Sequence, residues 1–170
     1  MDKKVKIGIV GFGEFSLSHI GIFMAHPSVE KVVGAELNEE RRAFVKNKYG
    51  IEMYPSYEEM LEKEPELNSV GIFAQRHQHG PMIIKALKAE KNVFSAVPMG
   101  CSEEEVFEIL DLVRKTGLTF AMGETCYYFP CAVWARKANR EGLFGQITYG
   151  EAQYYHDVTG MFESFFSVGD

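Results

Sequence analysis

The chain has 170 residues, enough for one domain with a real core, or one domain plus a fragment of another. With 46% hydrophobic and 25% charged residues its composition is that of an ordinary globular protein. A net charge of −6 with no basic cluster argues against non-specific nucleic-acid or anionic-membrane binding, and no apolar stretch reaches the roughly 20 residues that span a bilayer.

In chain order, strand-like and helix-like segments alternate. The start, "MDKKVKIGIV", reads as a first strand (5–11) rather than a signal peptide, because its apolar run is brief and broken by glycine. "EFSLSHIGIFMAH" carries a helical pattern, and "VEKVVGAEL" (29–37) is a second strand. "NEERRAFVKNKYG" predicts a helix capped by Asn38 and stopped by Gly50. Ser56 and Glu59 stand at capping-box spacing, as do Ser102 and Glu105. Between those helices lie the strand "SVGIFA" (69–74), a helix "GPMIIKALKAE" with Pro81 in its first turn, and the strand "NVFSAV". Gly117 ends the next helix, and "LTFAMG" follows as another strand. This rhythm predicts an α/β protein: a doubly wound, mostly parallel sheet over residues 1–123, with a fragment of a second α/β domain over residues 124–170.

That second part holds a helix ending near Gly142 and a long aromatic-rich strand candidate, "QITYGEAQYYHD" (146–157). Nothing after the strand can pair with it, and Phe162, Phe165 and Phe166 follow within "VTGMFESFFSVGD". Such a strand beside exposed phenylalanines is an association liability, so either another chain covers it, as in a homo-oligomer, or the sequence is the front of a longer protein. Cys101, Cys126 and Cys131 are an odd count without C-x-x-C spacing, which points to a reducing, cytoplasmic setting rather than a disulfide framework or a zinc site.

"GIVGFGEFS" places Gly11 and Gly13 between the first strand and the first helix. Gly11 permits the tight turn, Gly13 lets the backbone approach a pyrophosphate, and the helix start at Glu14 and Phe15 supplies N–H donors and positive dipole. Ser16 replaces the third glycine of G-x-G-x-x-G. Glu36 ends the second strand, where an acid accepts hydrogen bonds from the adenosine ribose, and Leu37 follows with no adjacent arginine, which favours NAD over NADP. In "AQRHQHG" (74–80), Arg76, His77 and His79 either face the cofactor's ribose or a substrate hydroxyl, or belong to a solvated loop. No cysteine or carboxylate cluster supports metal binding at the H-x-H pair, so no metal is expected. Glu124, after "LTFAMG", sits at the mouth of the same sheet and ranks as a catalytic candidate above His156. His156 and Asp157 are adjacent on the candidate strand and point to opposite faces, so they form no dyad without a bend. Trp134, Tyr127, Tyr128 and Phe129 read as packing rather than a substrate platform.

In the order and spacing of these motifs the chain resembles the amino-terminal part of the Gfo/Idh/MocA oxidoreductases. "KIGIVGFGEFSLSHI" is similar to their nucleotide-binding start, "VVGAELNEERR" to their acid-bearing strand, and "SVGIFAQRHQHGPMIIKALKAEKNVF" to their T-P-N-x-x-H region. "EGLFGQITYGEAQYY" is similar to the way their chains run into the second domain. The resemblance implies NAD as cofactor, a sugar or polyol as substrate, and Ala74, Arg76, His79, Ala96 and Pro98 among the cofactor contacts. Two departures stand out. The family's T-P-N is Ala74-Gln75-Arg76 here, with His79 at the histidine position as a further catalytic candidate, and its E-K-P, whose lysine assists proton transfer, is Ala96-Val97-Pro98. Loss of that lysine removes a group whose proton-transfer role is worth roughly 10²–10⁴-fold in rate. The resemblance therefore leaves three functions open: a NAD-dependent oxidoreductase, a glycoside-processing enzyme without net redox change, or a catalytically silent NAD-binding protein.

Overall fold

The computed structural model describes residues 4–155, 157 and 159. Six strands, β1 (Val5–Val10), β2 (Val29–Ala35), β3 (Glu52–Tyr54), β4 (Ser69–Ile72), β5 (Asn92–Ser95) and β6 (Phe120–Met122), form one sheet in the order β3-β2-β1-β4-β5-β6. Every pairing is parallel, with Val10 opposite Ala35 on one side and Ile72 on the other. This is the doubly wound order of a dinucleotide-binding fold, with its switch point between β1 and β4.

Strand periodicity divides the core into two layers. Val10, Val33, Ala35, Val70, Ile72 and Val93 pack with Met60, Ile83, Leu87 and Ile109, from α3 (Tyr57–Lys63), α4 (Arg76–Lys88) and α5 (Glu103–Thr116). Ile7, Ile9 and Phe12 pack on the opposite side with Ile20 of α1 (Glu14–Ala25) and Val45 of α2 (Glu39–Tyr49). Burying an aliphatic side chain of this size contributes about 1.5–3 kcal/mol, so these two layers are the main source of stability.

The expected helix signals act as read. Asn38 accepts from the Arg41 N–H at 2.9 Å, Ser56 from Glu59 at 3.1 Å and Ser102 from Glu105 at 3.3 Å. Gly50 and Gly117 take the left-handed conformation that closes α2 and α5. Three details differ from expectation. β3 forms as a short edge strand on β2. α4 begins at Arg76, five residues before Pro81, so the proline is inside the helix and His77 and His79 lie on its first turns rather than on a loop. Residues 146–155 form no strand, because a strand needs a ladder partner and none is offered to them within the described residues.

The chain divides into two compact units, Met1–Thr125 and Cys126–Asp170. Within the second, α6 (Pro130–Arg140) opens on a proline, which suits its first position. The Arg136 guanidinium lies 3.6 Å from the Tyr127 ring centroid, and Trp134 meets Phe144 edge-on at 5.8 Å. Trp134, Tyr127, Tyr128 and Phe129 remain exposed, so their expected packing role is only partly realised among the described residues. No disulfide joins Cys101, Cys126 and Cys131.

Candidate functional site

Because all six strands are parallel, the residues that follow them collect along one edge of the sheet. Gly11 and Gly13 follow β1, Glu36 follows β2, Ala74, Arg76 and His79 follow β4, Ala96 and Pro98 follow β5, and Glu124 follows β6. Backbone bonds past the strand ends keep these loops in line: Gly11 N–H to Ala35 O at 2.9 Å, Phe73 N–H to Val10 O at 2.8 Å, and Ala96 N–H to Ile72 O at 2.9 Å. The edge is therefore a set of fixed backbone positions, as a binding site on loops requires.

Gly11 has φ +84°, and a Cβ there would stand 2.8 Å from the Phe73 carbonyl oxygen and 2.9 Å from the Ala74 nitrogen. Only glycine fits. Gly13 is the opposite case: a Cβ on it would meet nothing within 4 Å, so the turn opens onto free space. Gly13 also caps α1 without a side-chain hydrogen bond, and Ser16, buried, turns its hydroxyl to the Gly13 carbonyl at 3.0 Å. The first-turn N–H groups of α1, at Glu14 and Phe15, are thus available to an anion at the positive end of the helix.

Glu36 is fixed from two sides. Its Oε2 accepts the Phe12 N–H at 2.8 Å and its Oε1 accepts the Asn38 N–H at 3.0 Å, leaving the side chain about 10% exposed. The carboxylate ties the Gly11–Gly13 turn to the end of β2 and keeps acceptor capacity on both oxygens. Along the chain no arginine adjoins it, but in space two do. Arg41 Nη1 lies 3.8 Å from Oε2, and Arg42 Nη1 donates to the carbonyls of Glu36 and Leu37 at 2.7 Å each. Adjacency along the chain does not reveal either arginine, because the first turn of α2 folds them back onto Glu36.

His79 is not a solvated loop residue. It is 2% exposed, with Nδ1 2.7 Å from the Pro98 carbonyl oxygen and Nε2 2.9 Å from the Ala74 carbonyl oxygen. Each ring nitrogen thus faces a backbone carbonyl oxygen, and the one ring sits between the end of β4 and the end of β5. The Val97–Pro98 peptide bond is cis, and Val97, at the family's lysine position, is 42% exposed. Arg76, His77 and Glu124 are exposed along the same edge. His156 lies outside the described residues, as do Phe162, Phe165 and Phe166. Phe15, His19 and Phe73 form a ring cluster beside the glycine turn, with Phe15 and His19 centroids 4.4 Å apart. The sequence reading did not single out that cluster, whose only signal was the i, i+4 spacing of Phe15 and His19.

A glycine-only turn, an open helix start and an anchored acid at the next strand end form the cradle that a dinucleotide needs. A family model described as an oxidoreductase family with a NAD-binding Rossmann fold matches residues 5–124. The chain belongs to the Gfo/Idh/MocA oxidoreductase family. NAD is the cofactor of this Rossmann domain, and its residues fit it. Similar curated proteins include an α-N-acetylgalactosaminidase of Shewanella oneidensis, 29% identical over 166 residues, covering 91% of this chain and 36% of that protein. A glycosyl hydrolase family 109 protein of Shewanella baltica is also 29% identical, again over 91% of this chain and 36% of the relative. Among solved structures, myo-inositol 2-dehydrogenase of Lactobacillus plantarum superposes with a TM-score of 0.75 at 26% identity, over 85% of this chain and 43% of that one. Scyllo-inositol dehydrogenase of Lactobacillus casei, solved with NAD(H) and scyllo-inositol, shares the fold with a TM-score of 0.77 at 24% identity, over 86% of this chain and 44% of that one. The chain spans about 36% of the length of the curated relatives it matches. Among the described residues, no helix is long and apolar enough to cross a membrane.

Proposed function

We propose that this chain holds NAD for chemistry on a sugar or polyol, as part of a NAD-dependent oxidoreductase. The observation that carries the reading is the cradle itself: Gly11, the open Gly13 turn and the anchored Glu36 meet where β1 and β2 end, beside the switch point of the sheet. Gly13, Glu14 and Phe15 would hold the pyrophosphate, Glu36 the adenosine ribose, and the Ala74, Arg76, Ala96 and Pro98 edge the nicotinamide end. Bound there, NAD supplies a hydride acceptor. His79 acts as a positioning residue, since both ring nitrogens already face backbone carbonyls. Glu124 and, further along, His156 are the candidates to move a proton. A structurally similar protein, a myo-inositol 2-dehydrogenase, supports a polyol or sugar.

Val97 favours a second reading. With an apolar residue where the family carries its proton-transferring lysine, glycoside processing without net redox change also fits, and a similar protein carries the name α-N-acetylgalactosaminidase. The test incubates the chain with NAD, a polyol and sugar panel, and an aryl N-acetylgalactosaminide. Growth of reduced-nicotinamide absorbance supports the first reading. Aryl release without it supports the second, and neither, with NAD bound, leaves a silent binding protein.

Residues 124–170 fit the start of a second domain. Ile147, Tyr149, Tyr154 and Tyr155, all exposed, are the surface on which self-association would act. The odd, unpaired cysteine count supports a reducing, cytoplasmic setting. Sedimentation at micromolar concentration tests the association: a monomer would refute it.

A further inference from the structure

The turn between β2 and α2 holds one carboxylate and two guanidinium groups in unequal states. Glu36 is nearly buried and bonded on both oxygens. Arg42 is committed, its Nη1 shared by the Glu36 and Leu37 carbonyls at 2.7 Å each. Arg41 is held by neither kind of bond: its side chain is 47% exposed, its guanidinium makes no hydrogen bond to a described residue, and its one charge partner, Glu36, lies at 3.8 Å. That separation is an ion pair and too long for a hydrogen bond. All five guanidinium donors therefore stay available beside the acid expected to meet the adenosine ribose.

We propose that Arg41 is a specificity-determining residue that lets this site accept the 2′-phosphorylated dinucleotide as well as NAD; the proposal rests on the dinucleotide reading above. A lone Glu36 would repel a 2′-phosphate. With Arg41 beside it, the pair presents close to zero net charge, and a planar fork can turn from the carboxylate to the phosphate by rotating a half-exposed side chain. Arg42 cannot do this without releasing the two carbonyls that shape the turn. Glu39 and Glu40, which precede Arg41 in the first turn of α2, add negative charge nearby. NAD therefore remains the tighter ligand, with Arg41 setting how small the gap is.

Calorimetric titration of nucleotide-stripped chain with NAD and with NADP, on wild type, Arg41→Ala and Arg41→Lys, reads the role without any activity assay. Wild type is expected to bind both, with NADP weaker by no more than about tenfold. Arg41→Ala is expected to leave NAD within about twofold while weakening NADP a further five- to tenfold or so, and Arg41→Lys to fall between, because an ammonium keeps the charge and loses the fork. NADP binding should also weaken more steeply with salt than NAD binding. An unchanged NAD-to-NADP ratio in Arg41→Ala, with NAD still bound, overturns the role of Arg41 and leaves the dinucleotide reading intact. Failure of wild type to bind either nucleotide overturns both.

Discussion

Replacing Gly34 by alanine tests whether the core and the cofactor turn are mechanically one piece. A Cβ at Gly34 would stand 2.5 Å from Phe12 Cζ, and 2.6 Å from both Phe12 Cε2 and Met53 Sδ. Contact between such atoms is comfortable near 3.5–4 Å, so the neighbours must retreat by about 1 Å. Met53 has a flexible thioether and can yield. The Phe12 ring has no exposed surface, and its backbone N–H is the donor that anchors Glu36 at 2.8 Å. Overpacking of this kind costs about 1–3 kcal/mol, and with a rigid ring involved the upper part of the range, about 2–3 kcal/mol, is expected. Moving Phe12 also lengthens its bond to the carboxylate, a charge-assisted contact worth about 1.5–3 kcal/mol, so NAD affinity should fall about tenfold. Equilibrium urea unfolding gives the first quantity and calorimetry the second, on one preparation. A variant as stable as wild type would refute the packing argument, and one destabilised with NAD affinity unchanged would show that Phe12 does not couple the core to the site.

Glu90 is the one non-glycine among the described residues with positive φ, at 59°, and it is exposed; Glu90→Gly should stabilise the chain by about 0.5–1 kcal/mol, visible as a raised urea midpoint. His79→Leu removes the ring that faces the Ala74 and Pro98 carbonyls and should cost about 1–3 kcal/mol in the same assay; no loss would mean that other donors satisfy both carbonyls. Lys31 bonds Glu64 and Glu66, and the Tyr54 hydroxyl donates to Glu64 at 2.7 Å. Burial, then the Glu64 carboxylate, pushes the Tyr54 phenol up to about 12, so its contribution is whole below pH 10.0 and is lost as pH rises from there toward 12. The Lys31 hydrogen bond draws Glu66 down to about 2, so its contribution is present above the ordinary 4.5 and is lost as pH falls toward 2. Thermal melts across pH should show both limbs, with the acid one flattened in Lys31→Gln; an unflattened limb would remove Lys31 from the argument.

Much of the fold was legible because local signals and tertiary structure agree. Asn38 with Gly50 and Ser102 with Gly117 bracket their helices, and five of the six strands are apolar runs between such brackets. β3 escaped because "EMY" has no pattern of its own and exists through its pairing with β2. α4 was misplaced because Pro81 looks like a helix start, while the earlier turn is supplied by Arg76 to Gly80. The strand at 146–155 fails for the reverse reason: its alternation is a property of the sequence, but a ladder needs a second strand. At the site, Gly11, Gly13 and Glu36 were readable from spacing, since each answers to one local demand. Arg41 and the placing of His79 between two carbonyls were not, because each depends on which chain segments the sheet brings side by side.

The same contrast explains why the edge after β5 ends in an apolar wall. His79, the nearest titratable side chain to Pro98 by hydrogen bonding, is spent on backbone carbonyls and is closed to solvent. Val97, which faces outward, has no proton to give. Polar chemistry at this edge thus holds loops in place, while the exposed polar side chains Arg76, His77 and Glu124 are spread over two different strand ends. A rigid, apolar floor favours holding a flat ring, because it costs no desolvation of charge and little conformational entropy. Such a floor would give no help to a proton leaving a substrate hydroxyl in the proposed hydride transfer. On the proposed reading, cofactor affinity rests on the glycine turn and Glu36, and any acid–base group must come from outside the wall that His79 holds together.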